Sequence, residues 1–241
     1  MFGLSAEGLT FSDRRDAGRK LAALLTNYAD QDDVRVLGIP RGGVQVAFEI
    51  AVFLSAPLDV FLLRKLGVPG EEELAFGAIA SGGVRVLDHE TIRSFGISEQ
   101  EIERVTDMEL RELHRREAAY REDRGPLEAE GKTVILVDDG IATGSSMRAG
   151  VQALRQLQPR RIVVAVPVAP FRASEQLKAD IDEFVCLETP MFFQAIGQFY
   201  DDFSQVPDEE VLALLAKARQ PVRERAAGRA GGVNEGIVEV P

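Results

Sequence analysis

Residues 133–146 hold the densest chemistry in the chain: the aliphatic run Thr133-Val134-Ile135-Leu136-Val137, then Asp138-Asp139-Gly140-Ile141-Ala142-Thr143-Gly144-Ser145-Ser146. Two adjacent carboxylates at a strand end repel each other and cost stability unless a cation or hydrogen-bond donors meet them. Vicinal sugar hydroxyls are such donors. Thr143-Gly144-Ser145-Ser146 then opens a helix, where unpaired backbone N–H groups, small hydroxyls and the helix dipole make a cradle for an anion. A carboxylate pair for a diol followed at once by a phosphate cradle describes a site for a phosphorylated ribose. Alone, Asp139-Gly140 reads as a turn and Thr143-Gly144 as a helix start; the complete run behind an apolar strand carries the reading. Two more segments set cations beside glycine. In Gly38-Ile39-Pro40-Arg41-Gly42-Gly43-Val44 the backbone can come close to a ligand while Arg41 reaches phosphate oxygens. In Leu63-Arg64-Lys65-Leu66-Gly67-Val68-Pro69-Gly70-Glu71 two adjacent cations lead into a Gly- and Pro-containing loop. Taken singly, each is a turn with surface cations.

Other chemistries find little support. His89 and His114 form no zinc-ligand spacing, and the single Cys186 lies in an apolar run that reads as a buried strand thiol. No Gly-x4-Gly-Lys-Ser/Thr sequence of a nucleoside-triphosphate loop is present. The formal net charge of −11 argues against general nucleic-acid binding while allowing a local basic pocket.

The elements that must position these residues follow from hydrophobic pattern. Ser12 precedes a helical face of Ala17, Leu21, Leu24, Leu25 and Tyr28. Residues 34–39 read as a strand, 44–54 as a helix and 58–63 as a second strand. Residues 64–76 read as a charged loop. Segments 77–80 and 84–87 flank Ser81-Gly82-Gly83 as a hairpin. Residues 98–124 form a long exposed helix with a Ser98/Glu101 capping box and Glu112/Arg116 and Glu117/Arg121 pairs, ended by Gly125-Pro126. Strand 133–137 is followed by a helix with Met147, Val151, Leu154 and Leu157 on one side. A strand at 161–168, a helix at 174–179, a strand at 183–187, an aromatic loop at 189–206 and a helix from Asp208 to about Arg219 complete the order. Strands without polar alternation, each followed by a helix, predict an α/β fold with a mostly parallel central sheet and helices on both faces. Ligands of such sheets bind beyond the carboxyl ends of the strands, where loops 40–43 and 138–146 both fall. Apolar residues make up 45% of the 241, enough for one large domain over 1–219 with a core at 34–188, a helical insertion at about 88–130, the aromatic loop and helix at 189–219, and a tail at 220–241. The N-terminus shows no signal peptide and no apolar run reaches a membrane span, so a cytoplasmic protein is expected.

The 134–146 run resembles the 5-phosphoribosyl-1-pyrophosphate (PRPP) signature of type I phosphoribosyltransferases: four aliphatic residues, two acidic residues, then Ala/Asp-Thr-Gly-x-Thr/Ser. The resemblance extends over residues 34–188 and is especially marked to a bacterial subgroup of phosphoribosyltransferase-like proteins, through Leu74-Ala75-Phe76-Gly77-Ala78-Ile79-Ala80 and the long helix. It implies that Asp138 and Asp139 contact the ribose hydroxyls while Ala142, Thr143, Gly144, Ser145 and Ser146 hold the 5-phosphate. It makes Arg41, Gly42 and Gly43 a pyrophosphate loop. It makes 64–76 a mobile loop whose Arg64 and Lys65 bind the leaving group, with small hood or flap elements around it, and puts Lys65 with Asp138 and Asp139 in the catalytic set. Phe192 and Phe193 follow the last strand, where family members often hold the acceptor, so they are candidates to stack on a base. Mg2+ is implied as cofactor, held through PRPP and water with no direct protein ligand. The implied partners are PRPP and a small nitrogen acceptor, with no nucleic acid and no membrane, in a homo-oligomer such as a dimer. Ala142 stands where hypoxanthine-type members carry aspartate, while adenine-type members also have Ala-Thr-Gly; this turns the expectation away from a hypoxanthine or guanine acceptor.

Three readings stay open on the residues. One is an enzyme transferring phosphoribosyl from PRPP to nitrogen with loss of pyrophosphate. The second is a non-catalytic PRPP sensor on the same fold. The third is a hydrolase using Asp138, which requires a metal cluster or acid that the sequence does not display.

Overall fold

The computed structural model describes residues 10–121 and 124–219; the expected tail at 220–241 lies outside them. Asp13 caps the first helix, α1 (Arg14–Ala22), accepting the Asp16 N–H at 2.6 Å. The helical pattern expected to reach Tyr28 breaks after Ala22. A separate 3-10 turn at Thr26–Tyr28 returns Tyr28 to the core and leaves Leu24 half in solvent, because the chain must turn there toward its first strand.

Along the chain follow β1 (Val34–Gly38), α2 (Gly42–Leu54), β2 (Leu58–Val60), β3 (Leu63–Val68), β4 (Glu71–Ala80), β5 (Val84–Leu87), α3 (His89–Phe95) and α4 (Glu99–Arg121). Then come β6 (Thr133–Val137), α5 (Ser145–Gln156), β7 (Arg161–Val168), α6 (Phe171–Leu177), β8 (Glu183–Glu188) and α7 (Asp208–Ala218). Five parallel strands form the central sheet in the order β2-β1-β6-β7-β8. Its two faces follow the period of two along each strand. Val36, Ile135, Val137, Val163 and Ala165 pack on the side of α1, α2 and α7. Leu37, Val134, Leu136, Ile162 and Val164 pack on the side of α5 and α6. Both faces are covered, as a parallel sheet requires.

The expected strand at 58–63 divides in two, and the expected loop at 64–76 is folded. β3 leaves the central sheet and pairs antiparallel with β4, which pairs with β5. Leu66 and Val68 are buried between more exposed neighbours, the alternation of a half-buried strand. Of the turn residues that suggested a loop, only Pro69 and Gly70 turn the chain, with Gly70 at φ +85°. Gly67 sits at a shift of register within the pairing.

α4 has the capping box, Ser98 N–H to Glu101 at 2.9 Å and Glu101 N–H to Ser98 Oγ at 3.3 Å. Glu112 and Arg116 pair at 2.8 Å. Arg121 does not take Glu117; its guanidinium crosses to Asp59 of β2 at 3.0 Å and ties the helix to the sheet. The helix expected at 174–179 lies three residues earlier, after Pro170. Cys186 is half-buried on β8, and burial pushes its thiol up to about 11. No helix among the described residues is long and apolar enough to cross a membrane.

Candidate functional site

β1 and β6 are neighbours in parallel register, Gly38 opposite Val137, so the chain leaves both strands side by side at their carboxyl ends. The Ile39 N–H donates to the Val137 carbonyl at 2.9 Å and holds the two exits together. The expected meeting of loops 40–43 and 138–146 is therefore built into the sheet, and the glycines show how close it is. A Cβ on Gly43 would stand 2.8 Å from the Asp138 Cα, and one on Gly42 would stand 1.9 Å from Asp139 Oδ2. These positions need glycine for space, since neither has a positive φ.

The two carboxylates are almost enclosed. Asp138 Oδ1 accepts the Asp139 N–H at 2.8 Å, and Asp139 Oδ2 accepts Arg14 Nε at 2.6 Å. Tyr200 Oη donates to the Asp139 carbonyl at 2.6 Å. Among the described residues no other group donates to Asp138 Oδ2 or Asp139 Oδ1; the Asp139 backbone N–H lies against its own carboxylate. Burial, and then the charge of Asp139, push the Asp138 carboxyl well above the usual carboxylate range. Burial raises Asp139 as well, opposed by the Arg14 guanidinium. Burial likewise pushes the Tyr200 phenol up, with Asp139 adding to it, so Tyr200 stays a donor.

Arg14 is the cation that the pair demands, and it was not among the sequence candidates. It comes from α1, 125 positions away, and nothing in Asp13-Arg14-Arg15-Asp16 separates it from the arginine beside it. The demand for a cation was readable at Asp138-Asp139; its source required the fold.

The turn after the pair opens α5, as the sequence predicts. Gly144 takes the left-handed conformation, φ +81°, as the N-cap of α5. Thr143 Oγ1 and Ser145 Oγ lie 3.1 Å apart, and Ser145 N–H points to Thr143 Oγ1 at 3.4 Å. Ala142, Thr143, Ser145 and Ser146 are all exposed, with the first-turn N–H groups of α5 behind them.

The remaining candidates are placed separately. Arg41 begins the α2 turn, half-exposed, with Nη1 3.9 Å from Asp208 Oδ1 on α7. Arg64 and Lys65 are consecutive on β3 and so face opposite sides. Arg64 turns to α4, its Nε 2.7 Å from Glu109 Oε2. Lys65 lines a cavity of about 520 Å3 between the small sheet and α5, together with Ala78, Asp88, Ser145 and Arg148. Phe192 is 87% exposed, whereas Phe193 stacks on Phe199 with ring centres 5.8 Å apart. Among the described residues no group of three or more His, Cys, Asp or Glu side chains is placed to hold a metal ion.

A parallel sheet whose central strands end in a half-buried carboxylate pair, a close glycine turn and a hydroxyl-lined helix start defines an α/β protein with its candidate site at the carboxyl ends of the strands. The phosphoribosyl transferase domain model matches residues 12–204, and the chain belongs to that family. It is 44% identical over 217 residues to the Mycobacterium tuberculosis (strain ATCC 25618 / H37Rv) protein Rv0571c, which carries the name of a phosphoribosyl transferase; the match covers 90% of this chain and 49% of that protein. The chain thus spans about half the length of the curated relatives it matches first. A second relative, the Bifunctional protein PyrR of Chloroflexus aurantiacus, is 32% identical over 149 residues, 59% of this chain and 74% of that one. Among solved structures, TT1426 from Thermus thermophilus superposes with a TM-score of 0.77 at 45% identity, covering 86% of this chain and 98% of that one.

Proposed function

We propose that the protein binds PRPP across residues 138–146 and transfers its 5-phosphoribosyl group to a nitrogen acceptor, a nucleobase or related compound. The observation that carries this is the pair of uncommitted oxygens, Asp138 Oδ2 and Asp139 Oδ1, in a loop that runs four residues later into the phosphate cradle. Vicinal hydroxyls satisfy those two oxygens, and the N–H groups of the α5 start satisfy the 5-phosphate. The acceptor nitrogen forms its bond to C1 as the bond from C1 to the pyrophosphate oxygen breaks, and the acceptor proton leaves to solvent. Asp138 and Asp139 stabilise the positive charge that develops on the ribose ring, and the pyrophosphate takes up the departing electron pair. Two carboxylates with one free oxygen each are too few to hold a metal ion alone. Asp138 and Asp139 would suit an Mg2+ ion brought in with PRPP. Such an ion would supply charge neutralisation on the pyrophosphate.

Arg41 and Lys65 are proposed for the pyrophosphate. Arg41 is half-exposed, its Nη1 3.9 Å from Asp208 Oδ1, and Lys65 opens on the same cavity as Ser145. Arg64, spent on Glu109, is the weaker candidate of the two hairpin cations. Phe192 is the ring available to stack on an acceptor; Phe193 is already stacked within the protein.

The test is a screen of nucleobases for pyrophosphate release from PRPP with magnesium. Release with one base, lost in Lys65→Ala while ribose 5-phosphate still binds, supports transfer. Tight PRPP binding without turnover on any base would replace the enzyme by a PRPP sensor.

A further inference from the structure

We infer that Arg14 is a positioning residue for the sugar: it locks the Asp139 carboxylate so that Oδ1, and not Oδ2, is offered to a hydroxyl. The inference rests on the reading of Asp138-Asp139 as the sugar-diol site and names what sets its geometry.

Arg14 is held on three sides. Its Nε donates to Asp139 Oδ2 at 2.6 Å and its Nη1 to the Ser204 carbonyl at 2.9 Å. The face of its guanidinium lies 3.8 Å from the centre of the Phe203 ring. Only 7% of the residue is exposed. A planar fork is needed to satisfy a carboxylate, a carbonyl and an aromatic face together; a lysine ammonium supplies the charge but not this geometry. Asp139 is fixed from its other sides too. Tyr200 holds its carbonyl, and the bare Cα of Gly42 closes over Oδ2, where a Cβ would fall 1.9 Å away. What remains open is Oδ1.

The same contact governs charge. The groups facing the Asp139 carboxylate are Asp138, Arg14 and the Tyr200 phenol, while α2 contributes uncharged Gly42 and Gly43. Arg14 is the only cation that the described residues bring within 4 Å of the pair. Its removal leaves two half-buried neighbouring carboxylates with no counter-charge, so Asp139 needs a higher pH to ionise. The clamp is assembled from α1 and residues 200–204, both outside the 34–188 core, so the flanks complete the site.

The rival account is that Arg14 merely staples α1 to the segment 200–204. Calorimetric titrations of the full chain with ribose 5-phosphate and with inorganic phosphate, from pH 6 to 9, separate the two. Arg14→Gln should weaken ribose 5-phosphate by about tenfold or more, the scale of one charge-assisted hydrogen bond, and inorganic phosphate by less than about twofold. Its ribose 5-phosphate affinity should rise with pH along a curve displaced to higher pH. Arg14→Lys should restore the pH profile of the native protein but only part of the affinity. Equal weakening of both probes, or an unmoved pH profile in Arg14→Gln, overturns the inference. If Arg14→Gln does not fold, Arg14→Lys decides, and native ribose 5-phosphate affinity in it overturns the clamp. If the native protein binds no ribose 5-phosphate, the proposed function fails, and the clamp is read from the carbon-13 carboxyl titration of labelled aspartates. Upward movement of that titration in Arg14→Gln supports the clamp, and no movement overturns it.

Discussion

Asp138 is a carboxyl placed where a carboxyl is least stable, largely withdrawn from water and next to a second one, with a backbone N–H and a distant Arg14 as its relief. A site that waits for a polar ligand carries that cost in the free protein. A carboxyl raised above its unfolded value binds its proton more tightly in the folded state, so its contribution to stability is lost as pH rises from the unfolded value through the folded one. Asp138→Asn keeps Oδ1 for the Asp139 N–H and does not titrate. It should therefore melt above the native protein at pH 8 by a few degrees, at about 2–4 °C per kcal/mol, with the gap narrowing toward pH 4. A gap constant over that range would contradict the assignment. Gly42 is the second sensitive residue. In Gly42→Ala the new methyl meets Asp139 Oδ2 and, at 2.7 Å, Arg14 Nε, both held in place. Overpacking of this kind costs about 1–3 kcal/mol. The denaturant midpoint should fall and PRPP affinity with it; native values of both would show that the loop yields.

The elements divide into those that one-dimensional pattern reveals and those it hides. β6, β7 and α4 were legible because each is uniform: unbroken, mostly β-branched and aliphatic runs for the strands, a capping box and charge pairs for the helix. The β3–β4 hairpin was hidden because Gly67, Pro69 and Gly70 punctuate it, and only the last two sit in a turn. That misreading matters for function. In a loop Arg64 and Lys65 can reach one ligand together; in a strand they cannot. The two should then separate on mutation. Arg64→Ala loses the half-buried pair to Glu109 and should lower stability by at most about 1 kcal/mol while leaving pyrophosphate release near native. Lys65→Ala should leave the melting temperature unchanged and slow release. Loss of turnover in Arg64→Ala as large as in Lys65→Ala would put both cations on the ligand and require the hairpin to rearrange.

Across the whole molecule, the central sheet brings the two glycine-bearing loops together by strand order alone, and that was foreseeable from which loops follow which strands. What closes the site was not foreseeable, because it comes from both flanks: Arg14 from α1, Tyr200 from the segment after β8, and Asp208 at the head of α7, which takes the Tyr120 hydroxyl at 2.5 Å and faces Arg41. Contacts over 125 and 61 positions leave no local trace in composition or period. The account as a whole stands on the carboxylate pair as a sugar site, and titration of PRPP with magnesium into the native chain and into Asp138→Asn/Asp139→Asn tests it most directly. Each lost hydrogen bond to a charged group removes about 1.5–3 kcal/mol, so the double variant, shown folded by its melting curve, should bind PRPP at least about a hundredfold more weakly. PRPP affinity undiminished in that variant would contradict the account.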